Sequence, residues 1–238
     1  MPANTEIHLV KRPEGMPRET DFAVIERPTP EPRDGEIVIE NVFVSIDPAM
    51  RPRLSTAQAM NEAMGGPAIG RVVQSRNPSL REGDVVQHRL SFRRYALSDG
   101  KGITKLSPDP ALPLSVYMHA LGNGGFVAWG GLLEIGKAKA GETVFVSTAA
   151  GSVGSIVAQV AKLKGCTVIG STGSDDKAAW LRSLGLDAVI NYKKEPIHQT
   201  LKKYATKGLD VYFDNVGVDH LNAALPRMNL LGRIAECG

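Results

Sequence analysis

Cysteine is almost missing: Cys166 and Cys237 are the only two in 238 residues, far apart and in no C-x-x-C pair. That excludes a disulfide framework and the cysteine spacings of a zinc finger or ribbon, and it makes a reducing cytosol the simplest location. Long apolar runs are missing too. No stretch approaches the length of a membrane-spanning helix, and the opening MPANTEIHLVKRP lacks the apolar core of a signal peptide, so no membrane partner is expected. The third absence is an excess of one charge. The 28 Lys and Arg against 25 Asp and Glu leave a net +3, with no clustered basic face for nucleic acid; KRPEGMPR and LRSLGL read as solvated surface. What remains, 42% hydrophobic and 22% charged, is ordinary for a globular chain with one large core or two modest ones.

Residues 1 to about 120 read as β-rich. Alternating or β-branched runs recur (EIHLV, FAVIE, EIVIENVFVSI, IGRVVQS, DVVQH, RYALS), and Pro, Gly, Asn and Asp separate them, as in a small barrel or sandwich. Near Leu112 the texture changes. LPLSVYMHALGNGGFVAWGGLLEIG predicts helix in two pieces, interrupted at GNGG. Beyond it, strands and helices alternate. Val144–Ser147 predicts a strand, and the next helix carries Val153, Ile156, Val157 and Val160 on one face. CTVIGS predicts the second strand, followed by a helix with Ser174 as N-cap and Gly185 just past its end. DAVIN, DVYFDNV and RIAECG supply three more strands, with a helical segment carrying Ile197, Leu201 and Tyr204 between the first two. Near-continuous apolar strands alternating with amphipathic helices predict an α/β parallel sheet covered on both faces. Five strands are one fewer than a complete dinucleotide-binding sheet, so the expected sheet is truncated after the fifth.

The turn after the first of these strands reads Ala149-Ala150-Gly151-Ser152-Val153-Gly154. Against G-x-G-x-x-G, Ala149 replaces the first glycine, while Gly151 and Gly154 keep the places needed for close pyrophosphate approach and for helix–strand packing. The following helix N-terminus offers free N–H groups and a positive dipole end to phosphates. An empty βα turn is the bland alternative, but the strand-turn-helix context favours a ligand. An NAD site carries an acid at the end of the second strand; here Ser171, Gly173 and Ser174 stand there, with Lys177 one helical turn later. Small polar residues with a nearby cation suit a 2′-phosphate, hence NADP(H). Lys177 could instead be a surface lysine answering Asp175 and Asp176.

DPAMRPRL, LGNGGFVAWGGLLEIGKAKAGETVFVSTAAGSVGS, LGLDAVINYK and DVYFDNVG resemble the prostaglandin reductase and leukotriene B4 12-hydroxydehydrogenase group, with its curcumin-reductase-like bacterial members. This is the zinc-independent branch of the medium-chain dehydrogenase/reductase superfamily. The resemblance runs over almost the whole chain. It implies a GroES-like catalytic domain over 1–120 and a Rossmann NADP-binding domain over 121–238, incomplete at its C-terminal end. It also implies NADPH-dependent reduction of the C=C bond of α,β-unsaturated aldehydes and ketones, with hydride addition at the β-carbon and an enolate intermediate. Ala149 matches the alanine-bearing fingerprint of that branch. Carried over by motif, Gly151 to Gly154 would hold the pyrophosphate, Lys177 and Tyr192 the 2′-phosphate, Asn215 the ribose, and Cys237 and Gly238 the nicotinamide end. A small-molecule enal or enone is the expected partner, and a homodimer is the expected full-length assembly.

Zinc-dependent relatives hold their metal with Cys and His from the barrel domain. Here no Cys precedes Cys166, and His8, His88, His119, His198 and His220 are scattered without ligand spacing, so no metal is expected. Other positions depart from the resemblance. Ala49 replaces the tyrosine of DPYMR, and GMPGLTAY has become GNGGFVAW, with Val127 in place of a threonine and Trp129 in place of the tyrosine. Arg51, Asn123, Val127 and Trp129 are the candidate pocket residues, and the pocket is expected to differ from the family's. Glu236 is unusual for a buried parallel strand unless it stands at an exposed end. The family's ISQYN-like motif, whose tyrosine lies at the active site, would fall past Gly238, so no residue is assigned as proton donor. Two other readings stay open: an NADPH-dependent quinone or allylic-alcohol oxidoreductase, and a non-catalytic NADPH-binding protein or fragment.

Overall fold

The computed structural model describes residues 2–238. The chain divides into two compact units, Met1–Met118 and His119–Gly238.

In the first unit, β1 (Asn4–Leu9) and β2 (Phe22–Arg27) pair antiparallel. A five-stranded antiparallel sheet follows, built from β3 (Ile37–Val44), β4 (Ala68–Ser75), β5 (Val85–His88), β6 (Tyr95–Ser98) and β7 (Thr104–Leu106) in the order β6-β3-β4-β5-β7. Isolated bridges from Glu6 to Arg93 and from His8 to Ala63 tie β1 to the rest of the unit. Alternating residues of the strands, among them Ile37, Ile39, Val72, Val86 and Ala96, close the core. The six predicted strands are present. Two elements were not legible: β7, only three residues long, and the short helix α1 (Met50–Ser55), which contains Pro52.

In the second unit, α2 (Asn123–Trp129) runs into a π-helical turn, Gly130–Ile135. The predicted two helical pieces are present, Leu114–Met118 and Asn123–Trp129, but the break falls over residues 119–122, so that Asn123 and the two following glycines open the second piece. The glycines serve close packing: a Cβ on Gly125 would lie 1.8 Å from the Ala120 carbonyl oxygen. Then come β8 (Thr143–Val146), α3 (Ser152–Leu163), β9 (Thr167–Thr172), α4 (Asp175–Ser183), β10 (Ala188–Asn191), α5 (Ile197–Tyr204), β11 (Leu209–Asp214), α6 (Val218–Ala224) and β12 (Met228–Glu236). The sheet is parallel throughout, in the order β10-β9-β8-β11-β12.

Side-chain alternation explains the continuous apolar strands. Val144, Val146, Val168, Val211 and Phe213 face one cluster with Ala128, Leu132, Val157 and Leu181. Phe145, Ile169, Ile190 and Tyr212 face the other, with Ile197, Leu201, Ala223 and Ala224. Both faces are covered, as a parallel sheet requires. Ser174 caps α4 by accepting the Lys177 N–H at 3.4 Å, and Gly185 follows the helix with a φ of +87°. Glu236 is exposed at the end of β12, which resolves its presence in an otherwise apolar strand.

Candidate functional site

The strand order reverses between β8 and β11, and in open α/β sheets ligands bind at the carboxyl ends of the strands beside such a switch point. There the β8–α3 turn is drawn tight. Thr148 takes a φ of +48°, and the Gly151 N–H donates to the Thr148 carbonyl at 2.9 Å. A Cβ on Gly154 would lie 2.3 Å from that carbonyl oxygen, and one on Gly151 would lie 3.0 Å from Thr148 Cγ2. Local backbone contacts therefore demand Gly154, and a Cβ on Gly151 would be crowded by Thr148. Ser152 and Val153 begin the twelve-residue α3, where first-turn N–H groups have no partner within the helix.

A cleft of about 290 Å³ opens beside this turn, lined by Thr148, Ala150, Gly151, Thr172, Gly173, Ser174, Lys177, Tyr192 and Lys193. Gly173 is closely overlaid here: a Cβ would come within 2.9 Å of the Tyr192 hydroxyl and 3.3 Å of Lys193 Cε, so those side-chain ends would have to shift. Tyr192 arrives from the end of β10, anchored by its N–H to the Thr172 carbonyl at 3.1 Å. Among the described residues, neither the Lys177 nor the Lys193 ammonium has a carboxylate partner. Asp175, the acid nearest in sequence to Ser174, is engaged elsewhere. It pairs with Lys194 and accepts from Asn191 Nδ2 at 2.7 Å, and those two partners hold its carboxyl below the usual range. The cleft thus presents two cations, a hydroxyl and a helix N-terminus without an opposing acid.

Two residues of the sequence reading stand behind the cleft. Ala149 is fully buried, its N–H donating to the Ser171 carbonyl at 2.8 Å, and a Cβ on Gly170 would touch its methyl group. Its role is packing between β8 and β9. Ser171 is also fully buried, and its hydroxyl has no hydrogen-bond partner. Conversely, Thr148, Ala150, Thr172 and Lys193 line the cleft and were missed. Lys193 had one signal, its position directly after Tyr192.

At the ends of β11 and β12 lies a second polar group. The Asn215 N–H donates to Ser147 Oγ and its Nδ2 to the Ser147 carbonyl, each at 2.8 Å, so Asn215 is clamped to the end of β8. Buried Asp214 shapes the turn: Oδ1 accepts from the Gly217 N–H at 2.7 Å, the Val216 N–H at 2.9 Å and the Tyr212 hydroxyl at 2.7 Å. Burial alone would raise the Asp214 pKa, but these donors outweigh it and hold the carboxyl below its ordinary value. Tyr212 is pushed well above the ordinary tyrosine range, chiefly by burial. The Asp214 carbonyl accepts from the N–H groups of Cys237 (2.8 Å) and Gly238 (3.2 Å), which brings both beside Asn215. Cys237 is exposed, but the strand ends around it partly desolvate the thiol, and this first and Asp214 second raise its pKa.

Of the pocket candidates, Asn123, Val127 and Trp129 lie on α2 of this unit; Asn123 and Trp129 are exposed and Val127 is half-buried. Arg51 belongs to the first unit, where its guanidinium binds the Gly15 carbonyl at 2.9 Å and Met16 Sδ at 2.8 Å.

Residues 5–106 match a family described as the N-terminal domain of oxidoreductase, and residues 152–238 one described as zinc-binding dehydrogenase. Among the described residues, no group of three or more His, Cys, Asp or Glu is placed to hold a metal ion. Prostaglandin reductase 1 of Mus musculus is 42% identical over 234 residues, spanning 97% of this chain and 70% of that protein. The NADPH-dependent curcumin reductase of Escherichia coli is 36% identical over 237 residues, 97% of this chain and 68% of that one. The crystal structure of CurA from Vibrio vulnificus in complex with NADPH superposes with a TM-score of 0.89 at 36% identity, covering 97% of this chain and 70% of that one. The chain belongs to the prostaglandin reductase and curcumin reductase group of the medium-chain dehydrogenase/reductase superfamily.

Proposed function

We propose that the protein is an NADPH-dependent reductase of the C=C bond in α,β-unsaturated aldehydes and ketones, working without zinc. The observation that carries the cofactor assignment is the acid-free cleft holding Lys177, Lys193 and Tyr192 beside the tight Gly151–Gly154 turn. It suits a dinucleotide with an additional phosphate, because a ribose 2′-phosphate meets two free cations while a bare 2′-hydroxyl finds no carboxylate acceptor.

In this reading, the N–H groups at the start of α3 hold the pyrophosphate, with Gly151 keeping side chains out of its way. Ser174, Lys177, Tyr192 and Lys193 hold the 2′-phosphate. Asn215, fixed by Ser147 and by the Asp214-organised turn, contacts the ribose; Cys237 and Gly238 border the nicotinamide end. Asn123, Val127 and Trp129 contribute to the substrate side. When bound, the cofactor would supply a hydride, and conjugate addition to an enal or enone is the chemistry we assign to it. We assign residues 1–120 as the GroES-like catalytic domain and 121–238 as the NADP-binding domain, supported by the two family matches and the division after Met118.

Stopped-flow oxidation of NADPH with a simple enone, followed by mass spectrometry of the product, tests this. The saturated carbonyl compound is the expected product. Tight NADPH binding with no turnover on enals and enones, or formation of an allylic alcohol, would contradict the assignment.

A further inference from the structure

Four aromatic rings form a continuous column through the second unit. Tyr212 stacks on Phe145 with centroids 5.0 Å apart and planes 16° from parallel. Phe145 in turn lies 6.4 Å from the imidazole of His220 at 7°. His220 meets Tyr192 edge to face, at 5.1 Å and 83°. Tyr212 and Phe145 are fully buried and His220 is 5% exposed, whereas Tyr192 is 40% exposed. The column therefore starts in the core and ends at the cleft.

A tyrosine at the end of an outer strand has two side-chain torsions and open solvent on one side, so something has to fix its ring. The hydroxyl lies close over Gly173, where a Cβ would come within 2.9 Å of it and push the end of the ring aside. Against the ring stands His220, delivered by α6. Hydrogen bonding does not account for a histidine there: its Nε2 is buried without a partner, an arrangement that costs stability. Burial, opposed by nearby Asp214 and Asp219, holds the imidazole below its ordinary pKa, which favours a neutral packing ring. What His220 does make is the edge-to-face contact.

We propose that His220 is a positioning residue that fixes the Tyr192 ring over Gly173 and thereby sets the preference for a 2′-phosphorylated dinucleotide. The inference rests on the assignment of the cleft as the 2′-phosphate site. A purely structural role would instead lower stability and weaken all dinucleotides alike.

The test measures Kd for NADPH and NADH in the protein and its variants, together with the ¹⁹F NMR signal of Tyr192 in fluorotyrosine-labelled protein. His220→Ala is expected to raise the NADPH Kd about threefold to tenfold, the range of an aromatic pair, with NADH changed by less than about twofold. His220→Phe restores most of the NADPH affinity, and in a Tyr192→Ala background His220→Ala adds little. The Tyr192 resonance shifts in His220→Ala and returns toward its original position in His220→Phe. Should the alanine variant not fold, His220→Leu fills the core position without an aromatic edge and carries the same expectation. An NADPH-selective loss in Tyr192→Ala with none in His220→Ala would overturn the inference and leave the 2′-phosphate assignment standing. Equal losses of NADPH and NADH in Tyr192→Ala would overturn both.

Discussion

The antiparallel sheet of the first unit scatters its unpartnered buried polar atoms over three strands and a loop: Asn41 Oδ1, Gln74 Oε1, His88 Nε2 and Ser91 Oγ. In the second unit the comparable atoms are Ser171 Oγ and Asp214 Oδ2, both at strand C-terminal ends, and His220 Nε2 on the helix that follows one of them. The first arrangement only taxes the fold. The second places its polar irregularities around one edge of the sheet, where the cleft lies. Each set includes a buried histidine without a partner at Nε2, so acid touches both units, while the second set alone gathers at the carboxyl ends of the parallel strands.

The largest expected effect sharpens this contrast from the second unit. Gly154→Ala forces a methyl group against the Thr148 carbonyl and the Ala149 backbone, and should destabilise the second unit by about 3 kcal/mol, the upper end for overpacking. Thermal unfolding with and without NADPH measures it; a change below about 0.5 kcal/mol would show that the turn is looser than its contacts indicate.

Next comes acid. Burial, aided by Arg93, lowers the His88 pKa from 6.5 to about 4. Between those values the unfolded chain binds a proton that the folded unit does not. Stability is therefore complete above about pH 6.5 and falls as pH drops toward 4, by about 2 kcal/mol at pH 5. Asp214 behaves differently. Its lowered pKa contributes stability that is present above the ordinary carboxylate value and lost only as pH falls through the folded value. The lowered pKa of His220 costs the second unit stability in the same direction, so hydrogen exchange at pH 7 and pH 5 should show both units loosening, and His88→Gln should suppress the loss in the first unit alone. Suppression of the loosening in both units by His88→Gln would break the comparison.

A smaller effect is expected from Asp214→Asn. The amide can still accept at one oxygen but loses the charge that the Gly217 and Val216 N–H groups and the Tyr212 hydroxyl address, a cost of about 1–2 kcal/mol. Because Asn215 follows directly, the variant should also weaken both NADPH and NADH, unlike changes at Lys177. Unchanged binding of both dinucleotides would detach the turn from the cofactor.

Much of this was legible in the sequence where the determinants are local. The five parallel strands announced themselves as apolar runs because both sheet faces are covered, and Ser174 and Gly185 marked α4 through their own backbone chemistry. Gly151 and Gly154 were readable for the same reason. Elements lacking such signals were not. Helix α6 begins after Gly217 with no side-chain cap, and α1 carries a proline. Tyr192 and Asn215 were named through the family resemblance, but how each is placed and why Lys193 joins the cleft depend on strand order. Only the β10-β9 pairing brings Tyr192 and Lys193 over Gly173, and only the β8-β11 pairing clamps Asn215 onto Ser147. Ala149, read as a ligand residue from its place in the fingerprint, proved to be packed against Gly170, a contact set by the neighbouring strand.

The central claim is that the cleft discriminates dinucleotides by their 2′-phosphate. Titration calorimetry of NADPH and NADH against the protein and its Lys177→Ala variant tests it most directly. The account predicts NADPH bound at least about tenfold tighter than NADH, with that margin reduced about tenfold in Lys177→Ala through the NADPH affinity alone. Equal affinities in the unaltered protein, or equal losses for both dinucleotides in the variant, would contradict it.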